Sequence, residues 1–297
     1  MSASQRVYKA RINSTKSLQQ MFKAMELIAA SRIGKARDRA EAARPFVEAL
    51  TRAVSAVATH SDAEHPIVQP RTETNRAAVL LLTADRGMAG AYSASVIRES
   101  ERLIERLERE GKEVIRYVVG QRGKNHFQFR DIPVQESWTG NTDAPEPETA
   151  KLIATELLRA FSAPKDEGGV DELHVVDTRF INMVSQEPRV TRMLPLEIVE
   201  GVAEPGQDPL PLYDFEPSAQ EVLDAVLPRY VESRIWNALL QAAASELAAR
   251  QRAMHTATEN AEELIRDYTR LANAARQGEI TQEISEIVSG ADALAAG

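Results

Sequence analysis

The sequence predicts an α/β domain joined to two very long helices, and three observations carry that reading. From Arg6 to His60 a single glycine, Gly34, and a single proline, Pro45, stand in a background of Ala, Lys, Arg, Met, Leu and Glu, all good helix formers. After Pro228 no further proline occurs, and the next glycine is Gly278. Between these ends, short apolar runs alternate with helical periodicity and turn residues, the texture of a parallel sheet with crossover helices.

In the N-terminal segment, QQMFKAMELIAASRIGKA places Phe22, Met25, Ala29, Arg32 and Ala36 on one edge of a helix, with Leu18, Met21 and Ile28 beside it. Helical throughout, the segment would run about 80 Å, more than the diameter of a small domain. The C-terminal segment could run about 90 Å. Its apolar positions Trp236, Leu239, Leu240, Ala243, Leu247, Met254, Ala257, Ala261, Leu264, Ile265, Tyr268 and Leu271 recur at threes and fours. Two uncapped periodic segments of this length predict an antiparallel coiled coil, since a compact middle section bridges their ends. The last turns, ARQGEITQEISEIVSG, carry a stripe of Ile280, Ile284, Ile287 and Val288 that requires a covering surface.

The middle section opens with the strand-like RAAVLLLTADRG, continues with the helical SASVIRESERLIERLERE and returns to a strand in KEVIRYVVG. PEPETAKLIATELLRAF then reads as a helix, and DELHVVDTRFINM and PRVTRMLPLEIV as strands. SWTGNTDAPEP, SAPKDEGG (Ser162 to Gly169) and GVAEPGQDPLP read as loops. The resulting division is residues 1–60 as an N-terminal coiled-coil helix, 76–215 as an α/β domain and 216–297 as a C-terminal coiled-coil helix.

Composition narrows the function. With 43% hydrophobic residues the chain can bury a core, and the low 5% aromatic content favours closely packed alanine-rich helices. The absence of cysteine excludes disulfides, thiolate metal sites and cysteine nucleophiles. No apolar run reaches the roughly 18 residues of a membrane-spanning helix, and no secretory signal or presequence is legible. Charge is uneven: residues 1–60 hold eleven Lys and Arg against Glu26, Asp38, Glu41 and Glu48, a net +7, leaving −15 for the remainder of a chain of net −8. An anionic partner for the N-terminal segment fits that asymmetry, and so does a solvated helix face.

Motifs for chemistry are missing. TADRGMAGAY sits where phosphate loops occur, between a strand and a helix, but Gly87 and Gly90 are spaced G-x-x-G rather than G-x-G-x-x-G, and no Gly-Lys-Ser/Thr follows. A glycine turn that lets strand and helix pack closely explains it, and the Asp85–Arg86 pair reads as a docking feature. His60, His65, His126, His174 and His255 show no metal-ligand spacing, and His174, on a strand, reads as structural. No G-x-S-x-G elbow occurs.

Three segments together resemble the gamma subunit of rotary F-type ATP synthases: RINSTKSLQQMFKAMELIAASR, TADRGMAGAYS, and VESRIWNALLQAAASELAARQRAMHTATENAEELI continuing to ARQGEITQEISEIVSG. The resemblance implies a coiled coil of the two chain ends with a Rossmann-like central domain that lacks a nucleotide site. It implies a central-stalk rotor subunit of a proton-driven ATP synthase, transmitting torque between the membrane c ring and the catalytic alpha/beta ring and regulating ATPase activity and proton flow. The chain itself would be non-catalytic and without a cofactor, and peripheral at the cytoplasmic face of the bacterial plasma membrane.

Carried over by matching residues, Arg276, Gln277 and Thr281 would meet loops of the surrounding alpha and beta subunits, and Lys23 and Met25 the lower part of the beta subunits. Tyr213, Phe215 and Glu216, in LYDFEP, would face the epsilon subunit and the c ring. Lys16, Lys23 and Arg32 are the cations expected to act on an acidic partner. The alternatives are a basic coiled-coil nucleic-acid-binding or scaffold protein, and an α/β nucleotide enzyme with helical arms.

Overall fold

The computed structural model describes residues 3–60, 74–196, 216 and 218–295. Its elements in chain order are α1 (Ala3–His60), β1 (Arg76–Leu82), α2 (Tyr92–Arg109), β2 (Glu113–Val119), α3 (Gln121–Phe129), β3 (Glu136–Trp138), α4 (Pro147–Ser162), β4 (Glu172–Phe180), β5 (Gln186–Leu194) and α5 (Ala219–Ala295). Both long helices form, and each continues through its proline, Pro45 in α1 and Pro228 in α5. Their contacts fall into two units, Ala30–Ala249 and Met1–Ala29 with Arg250–Gly297.

In the first unit the strands lie in the order β3-β2-β1-β4-β5. β1 to β4 are parallel, and β5 adds to the edge antiparallel to β4. Period-two alternation sends Ala77, Val79 and Leu81 of β1 to one face, against Val96, Leu103 and Leu107 of α2 and Phe127 of α3. Ala78, Leu80 and Leu82 go to the other face, against Ile153 and Leu157 of α4, Val54 and Val57 of α1, and Val231, Ile235 and Leu239 of α5. Burial on both faces is why the β1 sequence reads as one continuous apolar run.

Two elements differ from the sequence reading. α3 has only nine residues, and Phe127 is its one buried side chain besides the buried Gly123, too little periodicity to register. β3 is three residues, of which Ser137 and Trp138 fall in the stretch SWTGNTDAPEP read as loop. It exists because it pairs with the end of β2, and Trp138 stacks near Tyr117 with ring centroids 6.3 Å apart.

At the N-terminal edge of the sheet, Asp171 accepts the backbone N–H groups of Thr74 (3.0 Å) and Asn75 (2.7 Å), fixing the entry to β1. Beside it, Glu172 accepts from His174 Nε2 (2.8 Å) and Lys112 Nζ (2.8 Å). His174 is buried in β4, with Nε2 paired and Nδ1 without a partner among the described residues. The His174 hydrogen bond, with help from Lys112 and against the effect of burial, draws the Glu172 carboxyl down to about 2 from its ordinary 4.5.

In the second unit the two helices lie antiparallel. Arg11 sits 5.7 Å over the Tyr268 ring, Gln19 donates to Glu262 (3.0 Å) and His255 pairs with Glu26 (3.0 Å). As the α1 number rises, its partner's falls in step, the signature of antiparallel pairing. Ala29, Met254 and Ala261 are buried along the seam.

A group with a depressed folded pKa stabilises fully above its unfolded pKa and loses that contribution as pH falls through the folded value. For Glu172 the window runs from about pH 4.5 down to about 2. Glu172→Gln is expected to cost about 1–2 kcal/mol at pH 7, after discounting for solvent screening. It should also flatten the stability loss between pH 4.5 and 2, measured by urea unfolding with the fluorescence of Trp138 and Trp236.

Candidate functional site

A doubly wound sheet binds its ligands in the crevice at the carboxyl ends of the strands where the order reverses, here between β1 and β4. In this chain α5 fills that crevice. Ala249 packs with Ala84, Ala89 and Tyr92 of the loop after β1 and the start of α2. Ser245 Oγ donates to the Thr178 carbonyl at the end of β4 (3.1 Å), and Gln241 accepts the N–H of Phe180 (3.2 Å). Glu246, almost completely buried, accepts from Thr142 Oγ1 (3.0 Å). All eight residues from Ala242 to Ala249 are buried, and alanines supply most of them, so neighbouring backbones can come close on every side of the helix.

The loop after β1 also uses its charge internally. Asp85 accepts backbone N–H groups from Gln121 (3.0 Å), Gly140 (2.9 Å) and Thr142 (3.0 Å). Its carboxylate therefore occupies the N-terminus of α3, the position where a doubly wound fold offers amides to a phosphate. Gly120, at φ 95°, must be glycine here, because a Cβ would lie 2.3 Å from the Thr83 carbonyl oxygen. The close approach the sequence reading assigned to the Gly87–Gly90 turn is made by Gly120, whereas Gly87 faces open space. Arg86 is exposed, so the docking reading of the Asp85–Arg86 pair divides: Asp85 works inside the fold.

The helix-pair unit presents a different surface. The register of its pairs puts Ala3 level with about Gly278. Beyond that level α5 continues to Ala295, and every residue from Ile280 to Ala291 is exposed. Ile280, Ile284, Ile287 and Val288 thus form an uncovered apolar stripe, with Ile287 71% accessible. Farther down, Leu18, Met21 and Ile28 of α1 and Leu264 and Leu271 of α5 are exposed as well. Leu264 and Leu271 were expected in the packed stripe, but one partner helix covers too narrow an arc of α5 to bury them.

Of the residues singled out by sequence, Arg276, Gln277 and Thr281 are exposed on α5, and Thr281 Oγ1 donates to the Gln277 carbonyl (2.9 Å). The three fall within two turns that straddle Gly278, the level at which α1 begins. Lys23 is exposed and Met25 half-buried on α1. Glu216 is exposed, while Tyr213 and Phe215 lie outside the described residues. Arg32 turns to Asp143 in the loop before α4, 2.5 Å away, so its charge is engaged within the chain. Sequence reasoning missed Glu246, Ser245 and Gln241; a buried acid within AAASELAAR was the available signal, and only the fold gives it a partner.

A mostly parallel open sheet whose switch-point crevice is filled by α5, and an antiparallel pair of chain-end helices, define the fold. A family model described as ATP synthase matches residues 4–294. The ATP synthase gamma chain of Beutenbergia cavernae is 66% identical over 296 residues, covering 100% of both chains. That of Arthrobacter sp. is 60% identical over 294 residues, covering 99% of each. Among solved structures, a chain of the Euglena gracilis mitochondrial ATP synthase (OSCP/F1/c-ring, rotational state 3) aligns with TM-score 0.68 at 16% identity, over 99% of this chain and 95% of that one. A chain of the Tetrahymena thermophila mitochondrial ATP synthase central stalk/c-ring gives TM-score 0.58 at 23% identity, over 80% and 99%. The chain belongs to the ATP synthase gamma-chain family.

Asp85→Asn tests the internal role of that carboxylate. Both its oxygens accept from fixed amides, so an Asn NH2 must face a donor. A loss of about 2–3 kcal/mol is expected by thermal unfolding, the cost of a charge-assisted pair replaced by an unmatched one.

Proposed function

We propose that this chain is the central-stalk rotor subunit of a proton-driven ATP synthase. In this reading it carries torque between the membrane c ring and the catalytic alpha/beta ring and regulates ATPase activity and proton flow. The observation that carries it is the unpaired end of α5, where apolar side chains stay exposed from Ile280 to Val288 beyond the level at which α1 begins. A ring of subunits surrounding the tip would supply the missing cover.

Rotation of a shaft alters a distant catalytic site only if its contacts differ between the conformations of that site. An uneven shaft surface would supply such differences, and its exposed residues include apolar Leu18, Met21 and Ile28 on α1 and acidic Glu262 and Glu263 on α5. Arg276, Gln277, Thr281, Lys23 and Met25 are assigned to contacts with the catalytic ring, and Tyr213, Phe215 and Glu216 to contacts with epsilon and the c ring. Among the described residues no helix is long and apolar enough to cross a membrane, so attachment would come through the c ring, at the cytoplasmic face of the plasma membrane. ATP chemistry is assigned to the surrounding subunits.

Co-purification of the chain with two nucleotide-binding subunits in threefold excess is the direct test; recovery of the chain alone from gently solubilised membranes would overturn the reading. Cutting the chain after Ala275 should weaken assembly and ATP-driven proton pumping while leaving the unfolding of the sheet, followed by Trp138 and Trp236, unchanged. Reversing the exposed Lys16 and Lys23 together should reduce ATP synthesis per proton in reconstituted vesicles, and the effect should shrink with added salt. Arg32 is left out of that pair because its loss would also release Asp143.

A further inference from the structure

On the far side of the sheet unit from α2 and α3, an open groove of about 540 Å³ lies between α1, α5 and the end of the β4–β5 hairpin. Its lining holds Arg37 and Arg44 of α1, Arg179 of β4 and Arg189 of β5, against a single acid, Glu41. Arg189 is held bidentate by the buried Asp177 (2.7 and 2.9 Å), and Arg44 pairs with Glu48 (3.1 Å). Arg37 is propped 5.8 Å over the Phe180 ring, and Arg179 is exposed with no ion-pair partner among the described residues. Among the described residues, neither the Arg37 nor the Arg179 guanidinium is held in an ion pair, although Glu41 lines the same groove.

The hairpin turn beside the groove adds an apolar element. Ile181, Met183 and Val184 are all exposed, Val184 by 74%. Internal hydrogen bonds tie the turn that displays them. Asn182 Oδ1 accepts the N–H groups of Val184 and Ser185 (both 2.8 Å), and the Ser185 carbonyl accepts from Ile181 (3.3 Å) and Asn182 (3.1 Å). Three apolar side chains on a pre-formed turn, contiguous with an arginine-lined groove, make a surface with matched apolar and cationic parts.

We propose that this groove and turn form a docking surface for an acidic amphipathic segment of a partner protein, with carboxylates on Arg37 and Arg179 and apolar residues on Ile181, Met183 and Val184. Inorganic phosphate or a nucleic-acid backbone would satisfy the guanidinium groups but leave the turn in water. A basic or purely apolar segment would leave the unpaired arginines desolvated. Only a segment with both characters satisfies the whole surface, and the proposal requires nothing of the rotor reading.

The full-length chain can be titrated with a labelled helical peptide of Glu, Leu and Ala, using fluorescence anisotropy. The controls are the same peptide with Lys for Glu, and with Gly for Leu. The Glu–Leu peptide should bind at least about tenfold more tightly than either control and weaken as salt rises. Arg37→Glu combined with Arg179→Glu should remove that preference, and Val184→Asp should weaken binding without changing the thermal midpoint. Equal binding of the Glu and Lys peptides, or binding indifferent to the double charge reversal, would overturn the proposal. Displacement by millimolar inorganic phosphate with no contribution from Leu would overturn it in favour of a small-anion site.

Discussion

The whole structure depends on the burial of one stretch of α5, Ala242 to Ala249, on all sides. A helix can be surrounded this closely only if its side chains are small, and AAASELAA provides that. Against α1 it packs Ala244, Leu247 and Ala248 on Ile33 and Ala36. Against the sheet edge it packs Ala249 on Ala84 and Ala89 and sets Ser245 on the end of β4. Larger side chains would force the strands, loop and α1 apart, and overpacking of such a site is destabilising rather than neutral.

That constraint explains why a doubly wound sheet here serves as a foundation. Ligand crevices in such sheets depend on open carboxyl ends and on free amides at a helix N-terminus. Both are consumed internally: α5 fills the crevice, and Asp85 takes the first amide of α3 together with two amides of the loop after β3. The Ala84 carbonyl accepts the next, from Arg122 (2.9 Å), and Thr83 Oγ1 the third, from Gly123 (2.9 Å). The elements that bind a cofactor elsewhere are spent on locking helix to sheet.

Much of this was legible in the sequence, and the boundary of legibility has a physical cause. The long helices, β1, β2, β4, β5, α2 and α4 each carry their own periodicity or composition, so local reading finds them. α3 and β3 do not, since they are stabilised by partners distant in sequence, Asp85 and Thr83 for the helix and the end of β2 for the strand. The same holds at the site. The exposed stripe from Ile280 to Val288 is an amphipathic pattern visible in the residues themselves. The engagement of Arg32 by Asp143, and of Glu246 by Thr142, joins positions more than a hundred residues apart and has no local signal.

An isolated helix of about a dozen residues is marginal in water, because its nucleation cost is repaid only by length or by packing. The tip of α5 beyond Gly278 escapes that limit by continuing a helix already nucleated within the paired region, so its backbone order is inherited rather than locally earned. Gly278 nonetheless removes a side chain at the point where pairing ends, and costs about 1 kcal/mol relative to alanine. In the rotor reading, a helix stiff enough to stay formed but softened at its base could follow the inner contour of a surrounding ring as it turns. The same glycine in the middle of the paired segment would weaken the seam between the two helices, and none occurs between Pro228 and Gly278.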